Sequence, residues 1–85
     1  MITTLPEGKP VIGVREVKKA VKKGDVGTVV LSSNAPAAMR KDLEELAKKS
    51  GIKLETFSGD SERLGTTLGK PFLIAAVGYK GRGSS

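Results

Sequence analysis

The chain has 85 residues, of which 38% are apolar, enough for one small domain with one modest core. Fifteen Lys and Arg stand against nine Asp and Glu, for a formal charge of +6. With no Cys and no His, a disulfide scaffold, a zinc site of thiolates or imidazoles, a cysteine nucleophile and a Ser-His-Asp triad are excluded.

Aromatic residues make up only 4%, so the core must be built from Val, Leu, Ile and Ala. No apolar run approaches the about 18 residues of a membrane span. Met1 to Pro10 lacks the basic-then-apolar order of a secretion signal. A basic, cytoplasmic, non-redox domain is expected, with an anionic partner, most commonly nucleic acid. One Asn (Asn34), no Gln and a high share of Lys form a composition typical of thermophile proteins.

Met1 to Gly8 lacks periodicity and carries Pro6 and Gly8, so an irregular lead is expected. Lys9 to Ile12 reads as a short edge strand, because Pro10 cannot donate to an interior ladder. A helix follows from Gly13 to Lys23. Val14, Val17, Ala20 and Val21 share one face at helical spacing, and Gly24 stops it.

The opposite face of that helix is cationic. Between Lys9 and Lys23 lie six bases and one acid, Glu16, which puts +5 of the +6 in one segment. Arg15, Lys18, Lys19, Lys22 and Lys23 span an arc of about 140° on a helical wheel. Their mutual repulsion costs a few tenths of a kcal/mol per i,i+4 pair, roughly, and a bound polyanion would offset it. The alternative is a solvated face that serves solubility. The helix N-terminus near Gly13 adds free N–H groups and a positive dipole end, where a phosphate is received.

Thr28 to Ser32 is β-branched and apolar, a buried strand. Asn34 is placed to cap a second helix with Pro36 near its first turn. Met39, Leu43, Leu46, Ala47 and Ser50 form the inner face of that helix, and Gly51 its C-cap. Its nearly balanced charges, Arg40 among them, read as a solvated face with i,i+4 pairs Glu44–Lys48 and Glu45–Lys49. Ile52 to Phe57 is a third strand. Asp60 or Ser61 caps a short helix through Leu64 and Leu68, and Gly69, in positive φ, and Pro71 end it. Phe72 to Tyr79 is the longest apolar run and reads as a central strand covered on both faces. Gly81 to Ser85 is small and polar, a tail expected to be mobile.

The order β-α-β-α-β-α-β implies an α/β fold with helices on both faces of one sheet. Residues 1–85 form one domain, since no repeat and no long linker divides them. Leu64 to Phe72 matches neither a Walker loop nor a dinucleotide fingerprint. Phe72 has two readings: stacked on an unpaired base, or anchored in the core at a strand start. Ser32, Ser33, Ser58 and Ser61 lack any imidazole partner, while Asp60, Glu62 and Arg63 read as cap and surface charges. No enzymatic activity, cofactor or metal is expected.

Ile12-Gly13-Val14-Arg15-Glu16-Val17-Lys18-Lys19-Ala20-Val21-Lys22-Lys23-Gly24 is similar to the RNA-binding helix of the kink-turn RNA-binding superfamily. The similarity runs on through Ser33-Asn34-Ala35-Pro36, the helix from Arg40 to Ser50, and Ser50-Gly51-Ile52. It is most specific at Leu64-Gly65-Thr66-Thr67-Leu68-Gly69-Lys70-Pro71-Phe72. Within the superfamily the chain looks like the archaeal and eukaryotic-type thirty-e branch of large-subunit ribosomal proteins.

The resemblance implies a three-layer α/β/α sandwich on a mixed four-stranded sheet. It implies that a strand-to-helix junction and a facing loop grip the flipped-out and sheared bases of a sharply bent internal-loop RNA. By position, Gly13, Arg15, Glu16 and Lys19 match the helix contacts, and Asn34 matches one from the loop after the second strand. Lys70, Phe72, Leu73 and Ile74 match the loop and strand start that pack on bases. Lys18, Lys22 and Lys23 join them from the basic face. The implied role is a structural component of the large ribosomal subunit that binds kink-turn-like ribosomal RNA. It would be a monomer when free, cytoplasmic at the ribosome, with neighbouring ribosomal proteins as further partners.

Three features depart from the pattern. Relatives of the seven-Ae type have Asn-Glu where this chain has Arg15-Glu16. Met1 to Gly8 is too short for the extra first helix of the thirty-e branch, and the C-terminal extension is absent. One outer face of the sheet is then expected to be thinly covered, or covered by the ribosome. Two other roles fit the residues: a stand-alone kink-turn protein of a processing or modification particle, and a protein-interaction module whose basic face is only solvated.

Overall fold

A computed structural model describes Ile2, Thr3, Leu5 and residues 8–80 of the protein. In chain order the elements are β1 (Pro10–Ile12), α1 (Val14–Lys23), β2 (Thr28–Leu31), α2 (Ala37–Ser50), β3 (Lys53–Thr56), α3 (Ser61–Thr67) and β4 (Ala76–Tyr79). The strands lie side by side in the order β1-β4-β2-β3. β4 is antiparallel to both of its neighbours, and β2 is parallel to β3. β1 takes an edge, as Pro10 requires.

This pairing decides where a site can be. β1, β2 and β3 all run one way, and a helix follows each of them. The amino ends of all three helices therefore gather at the end of the sheet where those strands finish. β4 starts from that same end, with Ala76 opposite Leu31 and Val77 opposite Ile12.

Period-two alternation in strands covered on both faces builds two cores. Val29, Leu31 and Ala76 face α1 and α2, meeting Val17, Ala20, Val21 and Leu43. Val30, Val77 and Tyr79 face the other way, toward Phe57, Ile74 and Leu64 of α3. The result is an α/β/α sandwich on a mixed four-stranded sheet. The second face is not left bare. Besides α3, Ile2, Leu5, Ile12 and Leu68 pack against it.

Ile2 departs from the expected irregular lead. It bridges Phe57 in parallel, its N–H donating to the Thr56 carbonyl at 2.8 Å and its carbonyl accepting from the Ser58 N–H at 2.8 Å. The rest of that expectation, at Met1, Thr4, Pro6 and Glu7, lies outside the described residues, as does the tail 81–85.

Four further expectations are corrected. The strand expected over Phe72–Tyr79 begins only at Ala76. Its partners run out there, since β2 ends at Leu31 and β1 at Ile12. The preceding residues bond to loops and a helix end instead: the Ser32 N–H donates to the Ala75 carbonyl at 2.9 Å, and the Ile74 N–H to that of Ser61 at 3.1 Å. The third strand shortens to Lys53–Thr56, with Phe57 only in the bridge to Ile2. Asn34 does not cap α2, whose N-cap is Pro36 with no side-chain bond. Among the described residues the charges of α2 close no i,i+4 ion pair; Asp42 pairs across to Lys18 of α1 at 3.5 Å. The cap of α3 is Asp60, which accepts from the Arg63 N–H at 2.9 Å.

Tyr79 is buried, and desolvation pushes its hydroxyl above the ordinary tyrosine range. A pKa raised by folding contributes stability that is complete below the unfolded value and is lost as pH rises toward the folded one. Above about pH 10, the unfolding temperature should fall more steeply for the native chain than for Tyr79→Phe. Equal slopes in alkaline thermal melts would contradict this.

Candidate nucleic-acid interface

The amino end of α1 is open. Gly13 stands at φ 100° and ψ 143°, a conformation closed to ordinary L side chains, and no side chain caps the helix after it. Its own N–H donates to the Ala76 carbonyl at 3.1 Å, which ties the strand-to-helix junction to β4. The first-turn amides of α1 are thus left for water or a ligand. α2 also starts without a side-chain cap, and it has no acid in its first turn. α3 is closed by Asp60. Two uncapped positive helix ends therefore flank one end of the sheet.

Asn34 works as a clasp. Its Oδ1 accepts from the Ser32 hydroxyl at 2.9 Å and from the Ser61 N–H at 2.9 Å. Its Nδ2 lies 3.5 Å from the Ser61 hydroxyl. The acceptor half of the amide is spent joining the β2–α2 loop to the start of α3. Asn34 itself is exposed, so its donor half is what a ligand would meet.

Arg40 was not legible as part of this end of the molecule. Its Nη1 donates to the Thr56 hydroxyl at 3.0 Å and its Nη2 to the Ser32 carbonyl at 3.4 Å. The guanidinium fastens α2 to the finishing ends of β2 and β3, and it brings a positive charge there. The only signal in the sequence is its place one turn after Pro36.

The facing loop is held from below. After α3, Gly69 takes φ 72°. The Gly69 N–H donates to the Thr66 carbonyl at 2.9 Å and the Lys70 N–H to that of Gly65 at 2.9 Å, a paired helix-ending motif. Gly65 is buried, and a Cβ there would overlap the Phe72 carbonyl oxygen. The loop consequently rests directly on α3. Phe72 is 54% exposed and Leu73 67%, the large apolar side chains left in solvent among the described residues. With Glu62, Thr66, Lys70 and Pro71 they line a shallow groove.

The expected site residues fall into four sets. Gly13, Arg15, Glu16, Asn34, Phe72 and Leu73 sit on the junction and loops at one end of the sheet, with Lys70 in the groove beside Phe72 and Lys19 one helical turn behind Arg15. Arg15, Glu16 and Lys19 are exposed, and none forms an ion pair with a described residue. Lys18 leans toward α2 and Asp42. Lys22 and Lys23 lie at the far end of α1, about 10 Å of helix beyond Arg15, beside Ser50 and Lys80. Ile74 is corrected outright: at 2% exposure it belongs to the second core and offers no surface to a base.

Comparison with known proteins agrees with this fold. The large ribosomal subunit protein eL30 of Pyrobaculum calidifontis is 38% identical over 78 residues, covering 92% of this chain and 77% of that protein. The eL30 of Sulfolobus acidocaldarius is 35% identical over 83 residues, 98% of this chain and 80% of that one. A solved structure of a protein of unknown function from Bacillus halodurans C superposes with a TM-score of 0.79 at 31% identity, covering 87% of this chain and 73% of that one. The Giardia lamblia 15.5kD RNA binding protein shares the fold, with a TM-score of 0.76 at 18% identity over 85% of this chain and 60% of that one. The profile of one family matches residues 3–85, and the chain belongs to that family, the Ribosomal protein L7Ae/L30e/S12e/Gadd45 family.

Proposed function

We propose that the chain is a structural RNA-binding component of the large ribosomal subunit, and that it grips a kink-turn-like ribosomal RNA at the end of the sheet where β1, β2 and β3 finish. Its named relatives are ribosomal proteins, not enzymes, and the chain is not an enzyme. One observation carries the finer reading: Phe72 and Leu73 stay in solvent at the same end of the sheet as the uncapped amino end of α1. An apolar platform suits an extruded base, and an open helix end suits a phosphate.

The roles divide by chemistry. Lys19 and Lys70 neutralise backbone phosphates, which gives affinity without sequence information. Arg15 and Glu16, in the first turn beside Gly13, reach base edges. Glu16 is the lone acid of a basic segment, so phosphate is not its target; a carboxylate accepts from an exocyclic amine or a guanine imino group. The donor half of the Asn34 amide faces the same RNA, and Phe72 with Leu73 covers an unstacked base.

The test is a gel shift against a kink-turn RNA and its straightened mutant. Tight, salt-dependent binding to the first and weak binding to the second is expected; equal binding would overturn the reading. Glu16→Ala should cost about 1–3 kcal/mol on the kink-turn, as for a lost base contact, and little on a plain duplex. Equal losses on both RNAs would remove Glu16 from base recognition.

A further inference from the structure

The opposite end of the sheet carries a second concentration of charge that the proposed site does not use. There α1 and α2 end, β2 and β3 begin and β4 finishes. Lys22, Lys23 and Lys80 line one groove together with Ser50, Gly27 and Ile52. An adjoining groove shares Gly27 and Ile52 and adds Lys53. Among the described residues no carboxylate lines either groove, and Asp25 is the one acid in the turn between α1 and β2. Among the described residues none of the four lysines forms an ion pair.

Helix ends explain part of this. Lys22 and Lys23 lie in the last turn of α1, where cations complement the negative end of the dipole. That effect fades within one turn, and Lys53 and Lys80 sit at strand ends outside any helix. Four ammonium groups along two adjoining grooves, with no ion pair to a described residue, repel each other, and a phosphate backbone offsets that repulsion by releasing its own counterions. Among the described residues neither groove has an exposed aromatic ring or large apolar side chain, so this end has no platform there for an unstacked base.

We infer that this end is a second RNA-contacting surface, which takes the phosphate backbone of a plain duplex segment without reading its sequence. The two ends are separated by a body measuring 29 × 27 × 21 Å, which lets the chain hold a bent loop at one end and a separate duplex at the other. The inference goes beyond the proposed function and does not require it.

The full chain, saturated with an unlabelled short-armed kink-turn RNA, is titrated with a fluorescent plain RNA duplex and followed by anisotropy. The duplex should bind the preformed complex, and more weakly as salt rises. The double variant Lys53→Gln/Lys80→Gln should weaken that step at least about fivefold at low salt and reduce its salt slope by about two. Its affinity for the kink-turn RNA should stay within about twofold of the native chain's. The inference is overturned if no ternary complex forms, if the duplex displaces the first RNA, or if the variant binds duplex as the native chain does. Should the kink-turn RNA fail to bind at all, duplex titration of the free chain reads the same surface. A loss in the double variant there supports the inference, and no loss overturns it.

Discussion

Phe72→Ala should weaken binding to a kink-turn RNA by about 1–3 kcal/mol, the usual worth of a base–aromatic stack, with almost no change in unfolding temperature. The ring is 54% exposed and belongs to neither core, so removing it leaves no cavity. Gly69 and Pro71 fix the loop before any ligand arrives, so little ordering entropy is lost when the ring meets a base. Ile74, two residues on, supplies the contrast. It is 2% exposed, and Ile74→Ala should cost about 2–5 kcal/mol of stability. Thermal melts and RNA titrations of the two variants separate a surface role from a core role. If Phe72→Ala lowered the unfolding temperature as far as Ile74→Ala, or left RNA binding intact, the stacking role would be lost.

That pair also shows where reading the sequence stops. Phe72, Leu73 and Ile74 are three successive apolar residues, and hydrophobic pattern assigns them all to one strand. Whether a strand extends depends on partners far away in the chain, here β1 and β2, which finish opposite Val77 and Ala76. Once pairing stops, the alternation rule no longer sorts side chains. Two point to solvent, and the Ile74 side chain goes into the second core while its N–H reaches Ser61. α1 was legible almost to the residue, because its apolar spacing and its bounding glycines are local signals. Asn34 was not, since it serves a helix that starts 27 residues later, not the one just ahead of it. A helical wheel has a similar blind spot. It puts Lys22 and Lys23 on the same face as Arg15 but erases distance along the axis, and that distance carries them to the other end of the molecule.

Gly65→Ala should be destabilising even though helix propensity alone favours Ala over Gly by about 1 kcal/mol. Gly65 lies in α3 with its back to the facing loop, and an added Cβ would overlap the Phe72 carbonyl oxygen. The obstacle is backbone, so no rotamer change relieves it, and either α3 or the loop must move. Overpacking of this kind typically costs about 1–3 kcal/mol, enough to reverse the propensity gain. Because the displaced segment carries Phe72, the same variant should also bind kink-turn RNA more weakly, unlike a destabilising substitution elsewhere in the core. A double-mutant cycle separates the two effects. With the loop already displaced, Phe72→Ala should cost less binding free energy in the Gly65→Ala background than in the native chain. Strict additivity would mean that the ring does not depend on the helix for its position. A rise in unfolding temperature for Gly65→Ala would mean that the loop does not rest on α3 at Gly65, and the preformed platform would lose its physical basis.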